Sequence, residues 1–168
     1  SIEIYQKWMN NQIDYRDGAS LFFNNQLDGE LLIGEAQSAG AEFYIKKDLG
    51  KTTGFLSYTL AKTTRKINLI NGGKAYPDNN DQRHNLSIIV THNFNPRMVL
   101  SGTFVVSTGT PFTVPVGSYV WDGSNTPRYA ERNNDRIPVY HRSDIGFTLY
   151  AKEKPNKRLK SSWNFSVY

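Results

Sequence analysis

Few side chains in this sequence have the type and spacing for covalent chemistry. His84, His92 and His141 are its histidines, and cysteine is absent. No spacing among the three resembles a Cys/His metal site. His84 and His141 fall near the same rim of the expected structure, which alone does not make a metal centre. Gly72-Gly73-Lys74 has the flavour of a phosphate loop but lacks the full glycine spacing and a following helix. There is no nucleophile elbow, and Ser, His and Asp are too scattered to nominate a triad. Asn85-Leu86-Ser87 and Asn164-Phe165-Ser166 match the glycosylation triplet, yet both read as strand. The expectation is a protein that is not an enzyme and holds no cofactor and no metal.

Recognition chemistry is better represented. The stretch Tyr119-Val120-Trp121-Asp122-Gly123-Ser124-Asn125 and the stretch Tyr129–Arg136 combine aromatic rings, carboxylates and arginine forks. Such a mixture can stack on a sugar or bind an anionic solute. Tyr119, Trp121, Asp122, Tyr129 and Arg132 are the candidate binding residues, because recognition concentrates on loops held by rigid scaffolds. The competing reading is that these loops fold over one another and seal a mouth.

The elements that would carry these loops alternate apolar and polar residues one by one. In His84 to Phe94, Leu86, Ile88, Val90, His92 and Phe94 oppose Asn85, Ser87, Thr91 and Asn93. Ser161 to Tyr168 repeats the pattern, with Trp163, Phe165 and Val167 on one side. Successive side chains of a strand point to opposite faces, so each segment has one apolar and one polar side. The spacing predicts about seven strands, each roughly nine to twelve residues, where globular strands average about five or six. They are Ile2–Met9, Ala36–Lys47, Thr52–Ala61, Arg83–Phe94, Arg97–Thr108, Tyr140–Ala151 and Ser161–Tyr168. Short connections at Asp48–Lys51, Asn95-Pro96 and Lys152–Lys160 alternate with long, turn-rich loops at Asn10–Glu35, Lys62–Arg83 and Gly109–His141. Arg142 and Asp144 share the polar face and are placed to pair.

The 168 residues suit one domain, and no apolar run approaches the roughly eighteen residues of a spanning helix. Ser1–Met9 has neither the basic start nor the apolar core of a signal peptide. Without cysteine, disulfides are excluded and the redox compartment is unreadable. The net charge of +5 would ordinarily raise nucleic acid as a partner. The excess, however, gathers in the short connections: Lys46, Lys47, Lys51, Arg97, Lys152, Lys154, Lys157, Arg158 and Lys160 face only Asp48 and Glu153. A ring of snorkelling cations that also blocks edge pairing explains it better than a groove, which would interleave the charges with stacking aromatics. No nucleic-acid partner is expected.

Two architectures fit the alternation. One is a soluble β-sandwich binding module of the carbohydrate-binding type, in which Leu86, Ile88 and Val90 face Met98, Leu100 and Phe104 or Trp163 and Phe165 across a dry core. The other is an antiparallel up-and-down transmembrane β-barrel, with tight periplasmic turns and long outer loops. Strand length, polar faces of Ser, Thr, Asn and Gly, and strict alternation of long and short connections favour the barrel. Its register puts Asn85, Ser87, Thr103, Ser107, Asp144, Thr148, Asn164 and Ser166 in the lumen, and makes Trp8, Phe55, Phe94, Tyr150 and Trp163 girdle aromatics.

The order of several segments points the same way. Gly40-Ala41-Glu42-Phe43-Tyr44-Ile45-Lys46-Lys47 is followed by Gly50-Lys51-Thr52-Thr53-Gly54-Phe55-Leu56-Ser57-Tyr58-Thr59-Leu60-Ala61-Lys62-Thr63. Then come Tyr76-Pro77, Asp81-Gln82-Arg83-His84-Asn85-Leu86, Ser107-Thr108-Gly109-Thr110-Pro111-Phe112-Thr113-Val114-Pro115-Val116-Gly117 and Tyr140-His141-Arg142-Ser143-Asp144. This succession, over nearly the whole chain, resembles the barrel of Bacteroidetes TonB-dependent outer-membrane receptors. The resemblance implies active, TonB-energised uptake of a scarce solute (sugar, peptide or metal chelate) in the bacterial outer membrane. It further implies outer-membrane lipid and a surface lipoprotein lid as partners. Such barrels are large and plugged, about 22-stranded. Residues 1–168 are therefore expected to be a partial receptor barrel domain, a C-terminal portion without the plug, with Tyr168 short of the natural end. Its partners would include the remainder of the same receptor, and TonB through the absent plug.

Overall fold

The structure, a computed structural model, describes residues 1–19, 24–152 and 160–168. These residues form twelve strands: β1 (Ile2–Tyr15), β2 (Leu31–Lys47), β3 (Thr52–Lys66), β4 (Tyr76–Pro77), β5 (His84–Asn95) and β6 (Met98–Ser107), then β7 (Pro111–Phe112), β8 (Gly117–Trp121), β9 (Ser124–Arg128), β10 (Asp135–Arg136), β11 (Tyr140–Tyr150) and β12 (Ser162–Val167). The chain is all-β and antiparallel. One sheet runs in the order β1-β2-β3-β5-β6-β11-β12, with the short β4 added to β3. Sequential long strands are neighbours throughout, an up-and-down meander. Among the described residues the helical pieces are two short 3-10 turns, at Leu27–Glu30 and Asn71–Gly73.

Because residues directly opposite in a ladder share a face, the register assigns every side chain. Leu56, Ile88 and Phe104 lie in one row, Tyr58, Leu86 and Val106 in the next. Leu100 continues to Phe147 and Phe165, and Met98 to Leu149 and Trp163. On the other flank, Leu56 continues to Ile45, and Tyr58 to Phe43 and Ile2. These apolar residues therefore lie side by side on one face of one sheet, not opposite each other across two. Asn85, Ser87, Thr103, Ser107, Asp144, Thr148, Asn164 and Ser166 all fall on the other face.

Several boundaries differ from the sequence reading. β1 continues past Met9 to Tyr15 and β2 begins at Leu31, so the first loop is shorter than Asn10–Glu35. A bulge between Met9 and Gln12, with Asn11 at φ 56°, absorbs the Asn10-Asn11 pair that looks like a loop. Beyond it the ladder resumes with Ile13 opposite Ile33. β3 likewise extends to Lys66, since Lys62–Lys66 pair with Glu35–Ala39 although they carry no apolar alternation. Gly109–His141 is not a plain loop but contains β7, the β8–β9 hairpin and β10. The Lys152–Lys160 connection lies largely outside the described residues.

The aromatic set also needs correcting. Trp8 and Trp163 are on the apolar face near opposite ends of the strands, but Phe55 pairs with Lys46 and Tyr150 with Ser162 on the polar face. Phe94 sits in the Asn93–Asn95 bulge, edge-on to His92 at 4.6 Å between centroids. On the polar face close packing is achieved with small residues. A Cβ on Gly40 would come within 2.7 Å of the Tyr5 ring, which lies over it.

Burial is inverted relative to a water-soluble sheet. The apolar face is bare at its flanks: Ile4 is 80%, Ile45 67% and Phe165 61% exposed. The small buried core, Ile67, Ile70 and Tyr76 with Leu32 packed against it, sits at the long-loop end. Leu32 lies opposite Asp14 on the polar face, and buried Ala36 is in the same column.

Candidate functional site

The polar face at the long-loop end is roofed by 67–83, 108–139 and the described residues of the first loop, 16–19 and 24–30, and ion pairs join these loops to the sheet and to each other. Asp14 ends β1 on that face. It accepts from the Tyr76 hydroxyl at 2.9 Å and from the Arg132 guanidinium at 2.8 Å, while the other Arg132 nitrogen reaches Asp17 at 2.8 Å. Arg65 of β3 pairs with Asp78 and also donates to the Ile13 carbonyl at 3.0 Å. Arg16 forks onto Glu30 and closes the first loop on itself.

Asp81 is the second node. Its carboxylate accepts the Thr63 N–H at 2.6 Å, pairs with Arg136, and takes Arg83 at 3.3 Å. Arg136 additionally donates to the carbonyls of Asp81 at 2.7 Å and Gly109 at 3.1 Å. Glycine is needed at 109, where a Cβ would lie 1.6 Å from the Ile137 carbonyl oxygen. Asn133, in the left-handed region at φ 56°, donates to the Pro77 carbonyl and the Asn79 side chain, both at 2.7 Å. Asn71 grips the Arg132 backbone from both sides, at 2.7 and 3.3 Å.

The electrostatics follow from this packing. Burial pushes the Asp81 carboxyl up, but the Thr63 N–H and the Arg136 and Arg83 charges outweigh it, and the group sits below its ordinary value. Burial lowers Arg132, yet Asp14 and Asp17 more than compensate and its guanidinium is held charged. Tyr76 is pushed upward, first by burial and then by its bond to the Asp14 carboxylate.

The candidate recognition residues separate into two places. Tyr119 and Trp121 share one face of the β8–β9 hairpin, opposite Thr126 and Ser124, and Asp122 stands at its tip with φ 46°. Trp121 is 71% exposed, and Tyr129 just beyond β9 is also exposed. Arg132 is not with them. Its side chain is 16% exposed and bound in the clasp between Asp14 and Asp17. The loops thus divide: 132–136 folds back and seals, and 117–129 projects. Asp14, Asp17, Asn71 and Asp81 were not legible as a site, because their partners Arg132 and Arg136 lie far off in sequence, 115 residues for Asp17 and 55 for Asp81.

Other candidates resolve simply. Among the described residues no group of three or more His, Cys, Asp or Glu could hold a metal ion. His84 bonds the Tyr58 hydroxyl at 2.8 Å, and β6 lies between it and His141. Gly72-Gly73-Lys74 leads into β4 rather than a helix. Arg142 donates to both Asp144 carboxylate oxygens at 2.9 Å, the expected pair. Asn164 donates to Thr148 across the ladder at 2.9 Å.

Comparison with protein-family models, with curated proteins and with solved structures gives no match for this chain.

Asp81 provides a test of the roof. Its lowered folded-state pKa adds stability that is complete above the unfolded value of about 3.9 and lost as pH falls through the folded value. The loops are expected to resist pepsin at pH 4.5 to 5, within the range where that protease still cuts, and to become susceptible only below about pH 4. Asp81→Asn should open them already at pH 5. It leaves Arg136 partly buried without its counter-charge, at a cost of about 2 kcal/mol once the partial exposure of Arg136 is allowed for. Equal digestion of variant and parent at pH 5 would remove Asp81 from this role.

Proposed function

We propose that this chain is part of the barrel wall of a TonB-dependent outer-membrane receptor, with its apolar face against lipid and its polar face lining the lumen. The observation that carries the reading is the side on which the cover sits. In water, burying apolar area stabilises by about 25 cal/mol per Å², so loops and further layers gather on the apolar face. Here the loops, their small core and their ion pairs gather over the polar face, and the apolar belt is left bare. That is the arrangement of a strand wall whose outer solvent is hydrocarbon.

The belt has the right height. From Met98 to Val106 a strand rises about 27 Å at about 3.4 Å per residue. Tilted by about 40°, this spans about 21 Å, near the roughly 25 Å apolar band of such barrels. On β3 the belt residues Leu56, Tyr58 and Leu60 give way to Lys62, Thr64 and Lys66 on the same face, so the belt ends in charge. The order of the sheet begins at β1 and ends at β12. Open edges are not tolerated in a bilayer, and so both would pair with the remainder of the same receptor.

In this reading the activity is uptake, not catalysis. The exposed aromatic hairpin and the roof face the cell exterior, the basic short connections face the periplasm, and TonB acts through a plug contributed by the rest of the protein. A small solute and a surface lipoprotein lid complete the proposed partners. The solute would be a sugar, peptide or metal chelate.

Arginine scanning tests the register. Ile88→Arg puts a charge in the belt and should cost roughly 2–4 kcal/mol near the midplane, whereas Ser87→Arg, one residue away, should be tolerated far better. Urea unfolding of the full receptor in lipid vesicles measures both, and equal costs would exclude a spanning strand. Topology is tested by protease on intact cells. Cleavage is expected within Gly117–Arg136 and not within Lys152–Lys160; the reverse pattern would place the aromatic hairpin inside. Residues 1–168 expressed alone should require detergent, and a monodisperse, cooperatively unfolding monomer in plain buffer would overturn the receptor reading.

A further inference from the structure

The longest loop is built as a lever with a fastened base and a free tip. Its two limbs are zipped from the sheet outward. Ile137 donates to the Thr110 carbonyl at 3.0 Å, β7 pairs with β10, and the Asn133 N–H donates to the Thr113 hydroxyl oxygen at 3.0 Å. Val114 and the Asn134 side chain exchange two bonds at 2.9 and 3.1 Å, and Val116 donates to Arg128 at 2.8 Å. From there the β8–β9 ladder runs to the Asp122-Gly123 tip. The bonds from this loop to the neighbouring loops come from its second limb: Arg132 to Asp14, Asp17 and Asn71, Asn133 to Pro77 and Asn79, and Arg136 to Asp81. Within Gly117–Arg128 the described hydrogen bonds and ion pairs are those of the hairpin and its stalk alone.

We propose that Arg132 and Arg136 are positioning residues: they seat the base of the Gly117–Arg128 arm over the polar face, and so aim Tyr119 and Trp121 without themselves meeting solute. That the arm meets solute rests on the receptor reading; that two arginines set its direction does not. The geometry explains why paired, forked side chains are used. Each guanidinium holds two points at once, Asp14 with Asp17 and Asp81 with the Gly109 carbonyl, and a two-point grip fixes an angle where a single bond would leave a swivel. The partners are anchored in turn. Asp14 lies at the end of β1, and Asp81 is tied to the β3 backbone through the Thr63 N–H. Fixing the arm beforehand removes the ordering cost that binding would otherwise carry.

Residues 1–168 hold no cysteine, so once any cysteine elsewhere in the full-length protein is replaced, the aim of the arm can be measured there with nitroxide pairs, without any solute. One pair, Asn125→Cys with Thr59→Cys, reports the tip against the sheet. The other, Thr59→Cys with Ser162→Cys, reports the sheet against itself. The parent should give a single narrow distance for both. Arg132→Ala combined with Arg136→Ala should at least double the width of the tip distribution and leave the sheet pair unchanged, and Arg132→Lys alone should fall between. An unchanged tip distribution would overturn the proposal, as would broadening of both pairs, which would make the arginines general supports. Should the double variant fail to accumulate, Asp17→Asn with Asn71→Ala loosens the same grip from its outer side and must broaden the tip pair alone. A hairpin found on the periplasmic side by protease would sink the receptor reading and leave these distances as they are.

Discussion

The antiparallel ladder is the constraint from which the rest follows. Its side-chain period of two, carried in unbroken register across the central strands, assigns each residue to a face. A slip of one residue at Leu56 opposite Ile88 would turn a whole strand over and set serine beside leucine. The two bulges, at Asn10–Asn11 and near Phe94, take up the irregularities at strand ends, where the register can shift without inverting the middle.

One sheet with two chemically distinct faces poses an energetic question that its environment must answer. The exposed belt would be heavily penalised in water, since each apolar side chain of this size is worth about 1.5–3 kcal/mol on full burial. Hydrocarbon removes that penalty and introduces another: every backbone N–H and C=O must be paired within the protein. In the receptor reading the interior strands meet this requirement, and β1 and β12, at the ends of the order, would pair with further strands. The other face mixes Ser, Thr, Asn and Gly with Phe55, Ile89, Val105 and Tyr150, and in the receptor reading water or a protein plug lies against it.

The roof uses a different physics from the wall. Its apolar core is small, Ile67, Ile70 and Tyr76, and cohesion comes from arginine–carboxylate pairs around two half-buried or buried aspartates. Such pairs add modest net stability because desolvation offsets their attraction, but they are exacting in geometry. A roof that must hold one arrangement over a polar surface, with little apolar material available, is suited to them. The division between a clasped segment and a projecting aromatic hairpin also explains why Arg132 and Trp121, close in sequence, belong to different parts of the molecule.

The sequence by itself determined the seven long strands, their up-and-down order and the apolar faces of the central ones, because alternation is a local property, but not the short strands β4 and β7 to β10, which lie in stretches that read as loop. It also carried the Arg142–Asp144 pair, whose members are two residues apart on one face. It did not carry the ends of β1 and β3, where Asn10–Gln12 and Lys62–Lys66 look like loop and become strand only because a partner strand offers its hydrogen bonds. Nor did it carry the face of Tyr150, which pairs with Ser162 on the polar side, since aromatic identity says nothing about parity. The clasp was beyond it altogether. Arg132 meets Asp17 across 115 residues of chain, and only the folding of three loops over the polar face brings the two together.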